Sequence, residues 1–385
     1  MDRRHFLALT RGFATACFLP TLVACNDKKS PLAQIDVLQK PNKLGLRLPE
    51  DFTSRIVARS SQAPLNNNNF LWHAAPDGAG IFATDDDGWI YVSNSEMPDN
   101  TGGVSALRFN RHAEIIAAYP ILQNTNRNCA GGVTPWGTWL SCEESGETGR
   151  VFECDPYGIQ NAIERSVLGY FNHEAVAVDP LRGHLYLTED RTDGGLYRFR
   201  ATNFHPNGYP NLKNGILEIA ASNDHGVEWL LINDPLAISS PTRYQYNNAL
   251  QFNGGEGIVY NDERIIFSTK GDNRLWQYFI PQQQLGILYN AANYNNPILT
   301  GVDNLATTRF NDILVAEDAG DMQIIVITQG GDIKPLVQII DQDLSEITGL
   351  ALSPDGSRLY FSSQRGHTGQ STAGITYEIR GPLLR

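Results

Sequence analysis

The sequence has no cluster of lysine and arginine. With 30 basic against 42 acidic residues, its formal net charge is -12. A chain that binds a nucleic-acid backbone needs a concentrated positive surface, so no nucleic-acid partner is expected. Also missing are a G-x-S-x-G nucleophile motif, a Walker-type phosphate loop and a close C-x-x-C pair. Glycine and proline, at 35 and 20 residues, suit many turns but are too few for a collagen-like or disordered chain. No apolar run is long enough to span a bilayer; the one near the N-terminus is short and starts polar.

That short run belongs to an export-type segment, "MDRRHFLALTRGFATACFLPTLVAC", residues 1–25. "RRHFL" resembles the twin-arginine export motif and "LVAC" resembles a lipoprotein cleavage box. Together they imply passage through the twin-arginine export machinery and a lipid anchor to the membrane on Cys25. The expected location is the periplasm or cell surface. Residues 26–65 read as a tether and irregular lead-in, and 66–385 as one folded domain.

Cysteine is scarce, at five residues. With Cys17 in the leader and Cys25 lipidated, Cys129, Cys142 and Cys154 remain, so at least one thiol is free or bound to something else. A disulfide between Cys142 and Cys154 stays open at this point.

What the chain does have is a hidden period. Short β-like runs recur as "IYVSNS" (90–95), "WLSCEE" (139–144), "LYLTED" (185–190), "IIFSTK" (265–270), "ILVAED" (313–318) and "LYFSSQ" (359–364). Their ends lie 46 to 49 residues apart, apart from one gap of 80. A repeat in the forties built from several short strands is the signature of a propeller blade. The expected fold is all-β, a six-bladed β-propeller with an enlarged blade or loop insertion near 201–250.

The repeat also yields a candidate site. About ten residues before each run, at the start of an inner strand, stand Asn128 and Cys129, His173 and Glu174, Glu256, Asp303 and Asn304, and Thr348. The runs themselves end on Glu143 and Glu144, Glu189 and Asp190, Thr269 and Lys270, Glu317 and Asp318, and Ser363 and Gln364. Strand ends from every blade converge on a propeller's channel, so these acids can form one ring. A ring of unpaired carboxylates repels itself and its pKa values rise, and bound cations relieve this. Carboxylates suit calcium, and a thiolate among them suits a more polarising metal.

At the level of motifs the chain resembles the secreted PhoX-type phosphatases. "NCAGGVTPWGTWLSCEES" (128–145) is similar to their most distinctive block. "FNHEAVAVDPLRGHLYLTEDRTDGGLYRF", "VDNL…ILVAEDAG" and "ITGLALSPDGSRLYFSSQRG" resemble later ones. The resemblance implies a propeller that hydrolyses a small phosphorylated substrate as a monomer, with Fe(III) and Ca(II) in the channel. By motif, Cys129, Glu174 and Glu256 correspond to iron ligands, and Glu144, Asp190 and Asp318 to calcium ligands. Glu143, Glu189 and Glu317 are the alternates, since a one-residue shift reverses the face of a strand. Where the family carries Arg-Pro-Glu, this chain reads "GGE", with Gly254 in the arginine's place. Arg365, His173, Arg191 and Lys270 are the candidates to contact phosphate instead.

Two other readings remain at this stage. A calcium-dependent, lactonase-type propeller would need one channel calcium and leave Cys129 as a small buried hydrophobe. A non-catalytic surface propeller would use the carboxylates for structural calcium.

Overall fold

A computed structural model describes residues 30–66, 69–318 and 320–384. The leader at 1–25, including Cys25, lies outside these residues. The described residues form strands and short 3-10 turns, with no α-helix and no helix able to cross a membrane.

Six antiparallel sheets follow one another around a central channel, four built wholly from consecutive strands and two completed by a strand from near the N-terminus. Blade one spans residues 76–125, blade two 128–164, blade three 173–231, blade four 255–290, blade five 302–339 and blade six 347–380. Each recurring run of the sequence is the second strand of its blade: Trp89–Ser95, Trp139–Glu143, His184–Glu189, Arg264–Thr269, Ile313–Glu317 and Arg358–Ser363. These strands are almost wholly buried because sheets pack on both of their faces, so the runs read as continuous apolar stretches. The gap of 80 residues is explained by a fifth strand in blade three, Gly226–Leu231, and by a long crossing segment up to residue 254.

The core is not one mass. It divides into six clusters, one for each junction between neighbouring blades, including the junction of blade six with blade one. Tyr91 and Phe109 of blade one meet Tyr360 of blade six with ring centroids 5.4 and 5.5 Å apart. Closure removes free sheet faces, which is how a propeller avoids exposed edges.

The lead-in reading of residues 26–65 is corrected here. Thr53–Arg59 pairs with Ile375–Arg380 as the outer strand of blade six, and Leu46–Arg47 extends blade five beside Ile333–Ile339. Leu32 and Ile35 are buried between blades five and six. The folded domain therefore begins well before residue 66. Its N-terminal part was hard to recognise because it supplies only outer strands, which lack the blade repeat.

The disulfide is also settled. Cys142 and Cys154 are free thiols, one in the junction of blades two and three and the other in that of blades one and two. They face opposite sides of one sheet.

Leu32 is 1% exposed, whereas its neighbour Val37 is 79% exposed. Leu32→Ala should cost about 2–5 kcal/mol, as a buried leucine truncation does, while Val37→Ala stays within about 0.5 kcal/mol. Urea unfolding midpoints of the two variants provide the check; equal midpoints would return this segment to the status of a tether.

Candidate metal centre

Five blades carry the same defect at the same place: after the first pair of the inner ladder the register shifts, so two residues of the first strand oppose one of the second. Blade six carries it one pair later. A bulge of this kind re-aims a side chain. The first bulged residue is Asp77, Cys129, Glu174, Glu256 or Asp303, and Thr348 holds the equivalent position of blade six, paired with Ser362. The residue after it is small in five blades: Gly78, Ala130, Ala175, Gly257 and Gly349, with Asn304 in the other. Size matters there. A Cβ on Gly78 would lie 2.5 Å from the Cα of Ala130, and one on Gly257 would lie 2.6 Å from the amide of Leu305. Small residues thus let neighbouring blades close in below the ring, where only a cavity of about 40 Å³ remains.

A second ring comes from the residue that follows each second strand: Glu96, Glu144, Asp190, Lys270, Asp318 and Gln364. The two rings interlock. Cys129 Sγ lies 3.4 Å from Glu174 Oε1 and 3.7 Å from Asp77 Oδ2. Gln364 Nε2 donates to Asp77 Oδ2 at 2.6 Å and to Glu96 Oε2 at 2.9 Å. Asn172 Nδ2 donates to Glu144 Oε1 at 3.0 Å, and Asn304 Nδ2 to Asp303 Oδ1 at 2.9 Å.

Four sets of three ligating side chains result: Asp77, Glu96 and Cys129; Cys129, Glu144 and Glu174; Glu174, Glu256 and Asp303; and Asp303, Asp318 and Glu346. Within each set the ligand atoms lie within 4.8 Å of one another. Cys129, Glu174 and Asp303 each serve two sets, so the donors form one continuous run. The residues fit metal ions on two counts. Glu174 Oε2 is fully buried without a hydrogen-bond partner, an arrangement that is costly unless a cation faces it. The donor set also grades from thiol plus carboxylate to carboxylate alone, which suits a transition metal at one end and a hard cation at the other.

Burial, reinforced by neighbouring carboxylates, pushes Asp77, Glu174, Glu256 and Glu346 well above the usual carboxylate range. The same causes raise Glu144 and Asp303 to about 7 and push the Cys129 thiol up.

Of the residues singled out in the sequence, Cys129, Glu144, Glu174, Asp190, Glu256 and Asp318 all reach the channel region. The alternates do not. Glu143 accepts from the Asn126 amide and pairs with Arg150; Glu189 accepts from the Gly195 amide and Tyr197 and pairs with Arg243; Glu317 accepts from the Thr300 and Gln323 amides. These are blade-internal anchors.

His173 is corrected. Its ring stacks on Phe171 with centroids 3.6 Å apart, Nε2 lies 2.9 Å from the Gly169 carbonyl oxygen, and burial lowers its pKa to about 3. Strand alternation sends Glu174 into the channel and therefore His173 away from it. Arg365 stands at the rim, paired with Glu346 at 2.6 Å.

Three donors went unassigned from sequence. Asp77 and Glu96 occupy the ring positions of blade one, and the Asp-Gly pair at 77–78 parallels Glu-Gly at 256–257. Glu346 bridges to Asp318 just ahead of blade six. Over the ring opens a cavity of about 660 Å³ lined in part by Arg127, Glu144, Asn172, Asp190 and Arg191.

A family model for alkaline phosphatase PhoX matches residues 101–274. Pseudomonas fluorescens PhoX, solved in complex with vanadate as a transition state analogue, superposes with a TM-score of 0.73 at 14% identity, covering 90% of this chain and 97% of that one. At that identity the superposition shows the shared propeller fold. The Xanthomonas campestris protein XC5397, described as a gluconolactonase, shares the fold at TM-score 0.52 and 11% identity over 92% of this chain and 97% of its own. A Bacteroides thetaiotaomicron protein of unknown function does so at 0.54 and 10%, over 86% and 76%. No curated protein matches the sequence. The PhoX-matched stretch contains Cys129, Glu144, Glu174, Asp190 and Glu256, while Asp77, Asp303, Asp318 and Glu346 come from outside it.

Carboxyls held up near 7, against ordinary values of 4.5 for Glu144 and 3.8 for Asp303, keep protons in the folded chain that the unfolded chain has lost. Their contribution is therefore greatest below the unfolded pKa values and is lost as pH rises through 7. Protein treated with a chelator should melt lower at pH 8 than at pH 5, and millimolar calcium should narrow that gap. Differential scanning fluorimetry tests this; a chelated protein more stable at pH 8 would contradict it.

Proposed function

We propose that the chain is a metal-dependent hydrolase of phosphate monoesters, exported by the twin-arginine route and held at the membrane by lipid on Cys25. The observation that carries the reading is the unbroken run of donors from Asp77 through Cys129, Glu174 and Asp303 to Glu346, opening into a cleft that carries Arg127 and Arg191. Cys129, Glu174 and Glu256 would hold Fe(III), and Glu144, Asp190 and Asp318 would hold Ca(II). Bound there, such ions supply Lewis acidity that polarises the phosphoryl group and lowers the pKa of water.

The chain's own residues supply placement. Arg127 and Arg191 give the otherwise acidic mouth a positive side, which favours entry of a phosphate dianion. Gln364 and Asn172 fix the orientation of Asp77, Glu96 and Glu144 by donating to them, in the way outer partners tune metal ligands. The small residues after the inner-ring positions let neighbouring blades close in beneath the ring, which limits water there. Phosphoryl transfer asks for such positioning and charge neutralisation more than for proton relay, which agrees with a site that has no histidine facing the channel among its described residues.

The lactonase-type reading makes Cys129 a core residue. Its Sγ instead points between two carboxylates, which supports the phosphatase reading.

Elemental analysis of purified protein should find iron together with calcium, and a generic aryl phosphate should be cleaved in the presence of calcium. Cys129→Ser and Glu174→Gln should lower metal content and cut kcat/KM together, by roughly 100-fold or more, since even outer partners of a metal are worth up to that much. Either variant with full metal content and full activity would sink its assignment; calcium without iron, and no phosphatase activity, would return the lactonase reading.

A further inference from the structure

One ring position breaks the pattern. The residues that follow the six second strands are Glu96, Glu144, Asp190, Lys270, Asp318 and Gln364, and only blade four offers a cation. The Lys270 side chain is 39% exposed, yet the ammonium turns inward: Nζ lies 2.6 Å from Glu256 Oε1 and 3.0 Å from Asp190 Oδ2, joining the neighbouring blades three and four. These are the separations of close ion pairs.

The backbone is arranged around this. Lys270 donates its amide to the Gly254 carbonyl at 2.9 Å, and Gly271 donates to the Asn253 carbonyl at 3.0 Å, which fixes the start of the lysine stem. Gly254 has φ +72, and a Cβ there would stand 3.1 Å from Lys270 Cγ and 3.2 Å from Asp190 Oδ1. The stem runs where any side chain on residue 254 would begin. Gly254 is thus more than the loss of an arginine; it makes room for Lys270.

We propose that the Lys270 ammonium is a resident cation that takes one cation position of the ring, so that this chain binds one divalent ion fewer than its carboxylates would otherwise hold. The inference rests on the metal-centre reading above. Asp190 and Glu256 belong to different blades and would face each other as bare carboxylates without an intervening positive charge. A metal ion could supply that charge, and Lys270 supplies it covalently. The position beside it differs: the buried Oε2 of Glu174, which shares a ligand set with Glu256, has neither a hydrogen bond nor an ion pair, whereas Glu256 Oε1 is met by the Lys270 ammonium. The ammonium therefore engages one oxygen each of Asp190 and Glu256 and leaves their second oxygens and the Glu174 side to metals. A lysine engaged by two carboxylates is poorly placed to grip phosphate, since doing so would leave both of them unpaired in a part-buried site.

The test compares calcium and iron per chain in the intact wild-type protein, Lys270→Gln, Lys270→Met and Lys270→Arg, each equilibrated with calcium chloride and desalted. The Gln and Met variants should gain one calcium per chain, and the Arg variant should keep the wild-type count. In chelator the Gln and Met variants should melt below wild type, with calcium restoring them. Equal metal content in all four proteins, whether zero or several, overturns the proposal. So does a raised KM for aryl phosphate in Lys270→Gln with an unchanged metal count, which would make Lys270 a substrate contact. Failure of both neutral variants to fold in calcium also overturns it, because calcium is meant to replace the ammonium. The wild-type metal count and activity test the phosphatase reading separately, since the proposal is decided by the difference between variant and wild type.

Discussion

Mutual repulsion among buried carboxylates is the constraint around which this propeller is organised. Asp77, Glu174, Glu256, Asp303 and Glu346 all sit in or beside a channel that packing has largely closed to water. Each alone would be costly to bury ionised, and together they raise one another's cost. The fold meets this in two ways. Amide side chains of Gln364, Asn172 and Asn304 donate to individual oxygens; Lys270 and Arg365 place positive charge beside specific pairs. The remaining oxygens, Glu174 Oε2 above all, stay uncompensated by protein. A structure that needed only stability would have filled such positions with apolar residues. A cation facing them would offset that cost.

Much of this was legible in the sequence because both rings are locked to the strand register. The second strands announce themselves as apolar runs, and the residue just past each end is the outer-ring member. Counting back from Glu144 or Asp190 reaches Cys129 or Glu174, since antiparallel pairing fixes the separation. The choice of Asp190 over Glu189, or Glu144 over Glu143, follows from the period of two along a strand. Where the reading fell short, the physics was different. Asp77 was passed over because its blade ends its run on "VSNS", whose acid, Glu96, stands one residue beyond. Glu346 lies outside any strand and reaches the ring through its bridge to Asp318. His173 shows the limit of motif adjacency: one residue from a channel carboxylate, it occupies the opposite face. The outer strands at 46–47 and 53–59 carry no acidic ring residue and no repeat, so their place in the fold depends on partners some 290 to 330 residues away.

Gly254 and Lys270 illustrate why a single substitution is a poor unit of comparison. Taken alone, a glycine where the motif resemblance implies an arginine reads as lost phosphate affinity. In space, a Cβ on the glycine would press on the lysine's stem, and the ammonium joins the carboxylates of blades three and four. The cations that line the cleft are Arg127 and Arg191, at the ends of blades two and three.

The seam of the ring passes through the same site. Blade six meets blade one where Gln364 Nε2 donates to Asp77, Thr348 donates to the Pro76 carbonyl at 2.8 Å and Trp72 Nε1 donates to Thr376 at 3.2 Å. Blade six is itself incomplete until Thr53–Arg59 adds its outer strand. The Gln364 amide can hold Asp77 and Glu96 only once the two ends of the folded domain have met, a long-range closure that costs chain entropy with no local reward. The two ligand sets that flank the seam, Asp77, Glu96 and Cys129 on one side and Asp303, Asp318 and Glu346 on the other, each draw on neighbouring segments of the ring. Cations there would bind the folded blades and not the unfolded chain, so by mass action they would stabilise the fold in proportion to how tightly they bind. The acidic channel that weakens the empty propeller is then what couples metal loading to folding.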